Sequence, residues 1–150
     1  MAKFQYRMQS ILDIKYKLEE QAKQEFSAAQ IRYQEETECL ETLRKRKEAY
    51  LLEMRTYAEN RLNVPELERC NQAVAIMEEK IKEQKEVVFR AMAEADKARQ
   101  KLNQCMQERK THEKLREHQF EEFLQGLNAE ERKEIDELVS YRYSRSEEGD

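Results

Sequence analysis

The sequence predicts an all-α protein: a long antiparallel two-helix coiled-coil hairpin with a short C-terminal helix. Of its 150 residues, 40% are charged and 39% are hydrophobic, with two glycines and no tryptophan, which is too little apolar bulk for a thick globular core. Glu, Lys, Arg, Gln, Ala, Leu and Met dominate, and all are good helix formers. Apolar residues recur at alternating steps of three and four on both sides of the single proline, Pro65, which indicates helices that pack on each other.

The first helix is predicted from about residue 4 to about residue 59. The residues at these steps of three and four form a stripe along the helix, and this stripe has one irregularity. Two successive steps of four, from Leu18 to Ala22 and from Ala22 to Phe26, predict a stutter that locally unwinds a supercoil. The predicted stripe is Phe4, Met8, Ile11, Lys15, Leu18, Ala22, Phe26, Ala29, Tyr33, Glu36, Leu40, Leu43, Lys47, Tyr50, Met54, Tyr57 and Arg61.

The chain is predicted to reverse at about residues 60–64. Proline fits the first turn of a helix, where its missing N–H costs nothing, and it disfavours helical geometry in the preceding Val64. Asn60 and Asn63 favour a turn, and Glu66 suits a helix N-terminus. Residues that face each other across the hairpin are then expected to have numbers that add to about 126.

The second helix is predicted from about residue 65 to about residue 125. Gln84 is the single polar member of its stripe, and such a residue sets the register or faces a partner. Gly126 suits a left-handed helix end. The stripe is Leu67, Cys70, Val74, Met77, Ile81, Gln84, Val88, Ala91, Ala95, Ala98, Leu102 and Cys105.

Residues 128–150 are predicted to form a short helix and a disordered acidic tail, SRSEEGD at residues 144–150, separate from the hairpin of residues 1–127. Asn128 with Glu131 resembles a capping box that begins the helix. The helix has apolar residues, among them Ile135 and Leu138, with nothing of their own to pack on. They are expected either to fold over the free ends of the hairpin or to wait for a partner.

The sequence argues against several classes of function. It has no apolar run long enough for a transmembrane helix and no secretion signal, and its three cysteines follow no framework spacing, so a cytoplasmic protein is expected. Neither a catalytic pocket nor a phosphate-binding glycine loop is evident, and a zinc site at Cys105, His112 and His118 would need side chains on different faces to converge. We therefore expect no enzyme, cofactor or metal.

The basic run RKRK at residues 44–47 is interpreted as a solvated face or a protein-contact patch. Glu41 and Glu48 flank it, and the stem of Lys47 can lie along the seam between the helices. Both arms of the hairpin carry nearly equal numbers of acidic and basic residues. A nucleic-acid partner is therefore not expected.

Two terminal blocks resemble a known family. The start MAKFQYRMQSILDIKYKLEEQAKQEF, with Phe4, Tyr6-Arg7-Met8-Gln9 and Leu12-Asp13, and the late block ERKEIDELVSYRYSR, with Asp136-Glu137, are similar to the FliJ family of the flagellar type III export apparatus. The resemblance covers nearly the whole chain. It implies a coiled coil similar to the gamma stalk of rotary ATPases, without enzymatic activity of its own.

The resemblance also implies partners and a location. The stalk is expected to engage the ring of the export ATPase FliI, with its regulator FliH, and to promote ring assembly and hydrolysis. It is expected to link the ring to the export gate protein FlhA and to substrate chaperones. The protein is then cytoplasmic, peripheral at the cytoplasmic face of the inner membrane through the apparatus, with no direct membrane insertion, and a monomeric hairpin when free.

Two partner surfaces follow from the resemblance. By analogy with the rotary stalk, the free ends contact the ring, through Phe4, Tyr6, Arg7, Met8, Phe120, Phe123, Leu124, Asp136 and Glu137. The family's surface beside the turn falls on Cys39, Leu43, Arg46, Tyr50, Ala73, Met77, Lys80 and Gln84. Arg46 replaces an aromatic residue of the family, Ala73 replaces a larger one, and Lys80 replaces a small one. Packing between the helices is the competing role for the apolar members of both sets.

Two alternatives remain at this point. The equivalent stalk of a virulence-type type III secretion system shares the mechanism and differs in cargo. A generic coiled-coil scaffold or adaptor, without a motor partner, belongs to another class, and it would be a dimer of long helices instead of a monomeric hairpin.

Overall fold

The computed structural model describes residues 3–60, 63–127 and 129–148, with side chains up to residue 145, and this part of the chain contains three helices and no strand. Helix α1 is Gln9–Asn60, α2 is Val64–Gln125 and α3 is Ala129–Glu148. The predicted all-α class, with two long helices packed together and a short third one, is confirmed.

The chain divides into two compact units. One comprises the residues up to Glu19 together with those from Gln104 onward, and the other is Glu20–Asn103. Helix α3 belongs to the first unit, together with the N-terminal part of α1 and the C-terminal part of α2.

The second unit consists of the part of α1 from Glu20 onward and the part of α2 up to Asn103, which run antiparallel. Glu25 pairs with Lys101 at 2.9 Å between Oε2 and Nζ, and Arg32 pairs with Glu94 at 3.3 Å. In both pairs the residue numbers add to the predicted sum of about 126. The later residue on α1, Arg32, pairs with the earlier residue on α2, Glu94, so the two helices are antiparallel.

The seam of the second unit follows the predicted apolar stripes. Every predicted α2 position from Leu67 to Leu102, and every predicted α1 position from Ala22 to Tyr57, is buried or half-buried. Cys70, Val74, Met77, Ile81, Ala91 and Ala95 are the buried members on α2. Because all but three of these steps bury an apolar side chain, packing of this seam stabilises helices that are otherwise rich in charge.

The seam of the first unit departs from the prediction on α1. Ile11 and Leu18 are exposed, whereas Leu12 is fully buried and Glu19 is 5% exposed. Positions 12, 15, 19 and 22, which are buried except for the half-buried Lys15, keep an unbroken alternation of three and four. The predicted stutter at Leu18 is therefore wrong, since the seam passes through Glu19, which is paired with a basic residue of α2.

Helix α1 begins at Gln9, later than the predicted start at about residue 4. Residues 3–6 have no regular structure, and Tyr6 O accepts a hydrogen bond from Gln9 N at 3.0 Å. Tyr6 is buried and Phe4 is half-buried. In a helix, side chains two positions apart, such as those of Phe4 and Tyr6, would point about 200° apart. The non-helical segment therefore allows both aromatic side chains to pack.

The start of α2 lies at Val64, so Pro65 occupies the predicted first turn of this helix. Asn63 O accepts from Leu67 N at 3.0 Å, and Asn63 Oδ1 lies 3.5 Å from Glu66 N, which is the arrangement of an N-cap. Val64 is helical, contrary to the expectation that Pro65 would exclude it.

The junction between α2 and α3 differs from the prediction at Gly126. No glycine among the described residues has a positive φ, so Gly126 is not a left-handed cap. Instead the guanidinium of Arg132 on α3 donates to the carbonyl oxygens of Leu124 and Gln125 at the end of α2. The predicted capping residue Asn128 lies outside the described residues.

Helix α3 extends through residues 144–148, for which the sequence predicted disorder. Ser144 Oγ donates to Ser140 O at 3.1 Å, and Arg145 lies in the last turn, where a positive charge complements the helix dipole. These local interactions favour continuation of the helix.

Candidate partner-binding surfaces

Three phenylalanines meet in the first unit and form what we call the end cluster: Phe4, Phe120 and Phe123. The ring centroid of Phe4 lies 5.0 Å from that of Phe120, at an interplanar angle of 72°, and 5.5 Å from that of Phe123, at 50°. These are favourable edge and tilted geometries for aromatic rings. The three side chains are half-buried, so each keeps apolar surface in contact with solvent.

A groove of about 880 Å³ lies beside the end cluster within the first unit. Ile135, Leu138 and Val139 of α3 line it together with the cluster. Charged side chains also line it: Lys3, Glu113, Arg116, Glu117 and Arg142. Of the two possibilities predicted for the apolar face of α3, this shared groove favours the one in which the helix folds over the free ends. Leu138 and Val139 nevertheless remain 49% and 42% exposed.

The other residues predicted at the free ends differ in accessibility. Met8 and Leu124 are half-buried, and Tyr6 is 7% exposed, so Tyr6 packs inside the unit. Arg7 is exposed, as are the neighbouring carboxylates of Asp136 and Glu137 on α3. The structure therefore offers the end cluster, Arg7 and the acidic pair for contact with another molecule.

A polar network, which the apolar pattern of the sequence did not predict, occupies the seam of the first unit. Arg109 donates to both carboxylate oxygens of Glu19, and its Nη1 donates to Glu113 at 3.1 Å. Tyr16 donates its hydroxyl hydrogen to Glu113. Lys15 Nζ lies 3.0 Å from Glu108 Oε2. A buried carboxylate needs such a partner, because a charge removed from water without one is strongly disfavoured.

The pKa values of this network make its stability dependent on pH. The hydrogen bond from Tyr16 and the nearby Arg109 guanidinium lower the pKa of Glu113, and the bond from Lys15 lowers the pKa of Glu108. Glu113 in turn raises the pKa of Tyr16. A carboxyl group whose pKa is lower in the folded protein stabilises the fold above its unfolded pKa of about 4.3, and this contribution is lost as the pH falls further.

We therefore expect the melting temperature to fall as the pH decreases below about 4.5, and to fall less steeply in Glu113→Gln. Glu121→Gln, which changes an exposed glutamate on the same helix, should keep the wild-type slope. Thermal unfolding followed by circular dichroism across this pH range checks the prediction. Equal slopes for all three proteins would show that Glu113 has no lowered pKa.

The second predicted surface, which we call the turn stripe, lies on the two helices of the second unit. Its residues follow steps of four, three and four on each helix, so they share one side. Cys39, Arg46 and Lys80 are exposed, whereas Leu43, Tyr50, Ala73 and Gln84 are half-buried and Met77 is buried. The exposed members flank apolar side chains that pack in the seam.

Gln84 has a partner inside the protein. Its Nε2 donates to Glu36 O at 3.0 Å and to Glu36 Oε2 at 2.6 Å. Glu36 is the polar member of the α1 stripe that faces it. Of the two roles predicted for Gln84, this geometry favours setting the register of the two helices, because sliding α2 would leave both polar groups without partners.

The basic run at residues 44–47 is partly neutralised within the protein. Lys47 Nζ lies 3.3 Å from Glu78 Oε1 across the seam, and Arg44 lies 3.9 Å from Glu41. Lys45 and Arg46 are exposed. Lys47 of this run thus contributes to the packing of the helices, whereas Arg44, Lys45 and Arg46 lie on the surface.

The structure offers little for metal or thiol chemistry. No group of three or more candidate ligands occurs among the described residues. His118 Nε2 lies 3.2 Å from Glu122 Oε1. All three cysteines are free; Cys39 is exposed, and burial raises the pKa of the Cys70 thiol, as does its hydrogen bond with Glu53. None of the helices described here is both long and apolar enough to span a membrane.

The chain was compared with known proteins. The model of the family described as FliJ, the flagellar FliJ protein, matches residues 4–148. The comparisons with curated proteins and with solved structures returned no match.

Proposed function

Because the chain belongs to the FliJ family of flagellar export proteins, we propose that it is the coiled-coil stalk of the type III export apparatus. In this role it engages the ring of the export ATPase FliI, promotes ring assembly and ATP hydrolysis, and works with the regulator FliH. The stalk has no catalytic activity itself. It lies at the cytoplasmic face of the inner membrane through its contacts with the apparatus.

The end cluster is the observation that supports contact with the ring. Phe4, Phe120 and Phe123 keep apolar surface exposed beside a groove of about 880 Å³. Aromatic side chains that pack on each other and remain accessible are the residue type that most often anchors a protein interface. Arg7 and the acidic pair of α3 provide charges that orient the contact.

The acidic pair allows this surface to be tested without disturbing the helix packing. Asp136 and Glu137 are exposed on α3, so reversing both charges with Asp136→Lys and Glu137→Lys should leave the melting temperature nearly unchanged. Association with the export ATPase of the same organism should weaken by about tenfold or more. Sedimentation of the two proteins together, with thermal unfolding of the variant alone, measures both quantities.

A matched control is Glu130→Lys with Glu134→Lys, which makes the same change of charge at other exposed sites of α3. This control should bind the ATPase as the wild type does. A large loss of melting temperature in the Asp136 and Glu137 variant would mean that the pair stabilises the fold. Unchanged association would remove the pair from the contact surface.

The turn stripe is proposed to bind the export gate protein FlhA and the substrate chaperones. Its exposed residues Cys39, Arg46 and Lys80 surround half-buried apolar ones, an arrangement that suits a partner with both polar and apolar groups. The end cluster and the turn stripe lie in different compact units. Separate surfaces would allow ring and gate to bind the same stalk.

The free protein is proposed to be a monomeric hairpin. In each unit the seam is closed by two segments of the same chain, as the contacts of Phe4 with Phe120 and of Arg32 with Glu94 illustrate. A second copy is not needed to bury the stripes. A monomeric mass in sedimentation equilibrium would favour the stalk over the scaffold alternative, whereas a dimer would favour the scaffold.

A further inference from the structure

The ion pairs of the second unit form a regular ladder along one side of the seam. Glu25 pairs with Lys101, and seven residues further along α1 Arg32 pairs with Glu94, seven residues earlier on α2. Each of these residues directly precedes a seam position, Phe26, Tyr33, Ala95 or Leu102. In an antiparallel pair, such flanking positions of the two helices face each other across the seam.

Continuing the same step of seven residues gives the next rungs of this ladder. By this register Cys39 stands opposite Val87, a rung without charge, and Arg46 stands opposite Lys80. Lys47, next to Arg46, contacts Glu78 at 3.3 Å, so the helices keep this pairing at the level of the rung. Where the first two rungs join opposite charges, this one joins two positive charges.

The neighbourhood of the rung leaves much of this charge uncompensated. On α1 the residues three and four positions from Arg46 are Thr42, Leu43, Ala49 and Tyr50, none of which is acidic. On α2, Glu83 is the one acidic residue at these spacings from Lys80. Both basic side chains are exposed, and neither is in an ion pair among the described residues. Like charges that face each other in this way destabilise the pair of helices slightly.

We infer that the Arg46–Lys80 rung is a docking point for an acidic protein segment, whose carboxylates lie between the two cations while its apolar side chains contact the turn stripe. The inference rests on the proposed partner surface and specifies the chemistry of the partner. An exposed arginine and an exposed lysine on the same rung offer a carboxylate several hydrogen-bond donors at once. Leu43 and Tyr50, which are half-buried, provide apolar surface beside the rung. A protein partner fits this mixture, since the arms as a whole are nearly neutral and a nucleic acid needs an extended basic face.

A stability measurement separates this role from a structural one. Arg46→Glu replaces the repulsive rung with an opposite-charge pair like that of Glu25 and Lys101. We expect the melting temperature to rise by about 1 °C at low salt, and the rise to disappear at high salt. Lys85→Glu makes the same change of net charge at an exposed residue on the other side of the seam and serves as the control.

Binding is measured with a labelled synthetic peptide in which pairs of glutamates alternate with leucines, and with a matched peptide that carries glutamine instead. The wild type, Lys85→Glu and Arg46→Lys should bind the glutamate peptide with similar Kd. Arg46→Glu should bind it roughly tenfold more weakly, and the glutamine peptide should bind the wild type equally weakly. The expected result is thus a variant that is more stable and yet binds less well.

Three outcomes would overturn the inference. The wild type fails to bind the glutamate peptide, Arg46→Glu binds it as the wild type does, or single-stranded DNA binds the wild type with equal affinity and the same sensitivity to Arg46→Glu. The last result would identify an unselective anion site. The cytoplasmic part of the gate protein, titrated in parallel, distinguishes the two proposals: if it does not bind while the peptide does, the gate contact is wrong and the acidic docking point stands.

Discussion

Ala95→Pro is expected to unfold much of α2 in the second unit and to lower the free energy of unfolding by about 3 kcal/mol or more. Ala95 is a buried seam residue in the interior of α2. Proline at this position removes the donor to the carbonyl of Ala91, and its ring clashes with that carbonyl. Because Ala91 is also a buried seam residue, the lost turn separates the two helices where they pack.

The matched variant Ala95→Gly keeps the backbone donor and should cost only about 1 kcal/mol. Circular dichroism at 222 nm during heating gives both values. The proline variant should have lost most of its helical signal well below the melting temperature of the wild type. If the proline and glycine variants melted together, residue 95 would not lie inside a packed helix.

Leu12→Ala is expected to lower the free energy of unfolding by about 2–5 kcal/mol, the usual cost of truncating a buried leucine. Leu12 is fully buried, whereas its neighbour Ile11 is 37% exposed. Ile11→Ala should therefore change stability much less, by about 0.5–1 kcal/mol. Denaturant unfolding of the two variants and the wild type gives this comparison directly.

The pair of variants decides which residues form the seam of the first unit. If Ile11→Ala were the more destabilising one, the seam would pass through Ile11 and Leu18, and the stutter predicted from the apolar pattern would be present. Equal small effects would mean that this end of the coiled coil is not packed in solution.

The packing of the second unit could be predicted almost completely from the sequence. Each step of the stripe from Ala22 to Tyr57 and from Leu67 to Leu102 coincides with a buried or half-buried residue. The reason is that apolar side chains stand at all these positions except Glu36, Lys47 and Gln84. Pro65 and Asn63 likewise identified the turn through local chemistry that does not depend on the rest of the chain.

The first unit was harder to predict because its seam is partly polar. A search for apolar periodicity selects Leu18 and rejects Glu19, although Glu19 is the buried one. Its burial depends on Arg109, a residue 90 positions away that lies beyond the apolar stripe of α2. The continuing three-and-four step through Lys15 and Leu12 was the signal that could have revealed this seam.

The end of α2 and the segment before α1 depend on tertiary contacts in the same way. A glycine after a helix favours a left-handed cap, but at Gly126 the terminal carbonyls accept from Arg132 of the next helix, so that geometry is not needed. Residues 3–6 have helix-compatible side chains, yet the contact of Phe4 with Phe120 and the burial of Tyr6 favour a non-helical path. Neither effect can be read from neighbouring residues.

The role of the chain as the stalk of the export ATPase is tested most directly by ATP hydrolysis. The flagellar export ATPase of the same organism is titrated with this protein, and hexamer formation is followed in parallel by sedimentation. We expect hydrolysis to rise and to saturate together with the fraction of hexamer, and Phe4→Ala with Phe123→Ala to need a higher concentration for the same effect. An active ATPase whose hydrolysis and assembly did not respond to the protein would contradict the proposed stalk function.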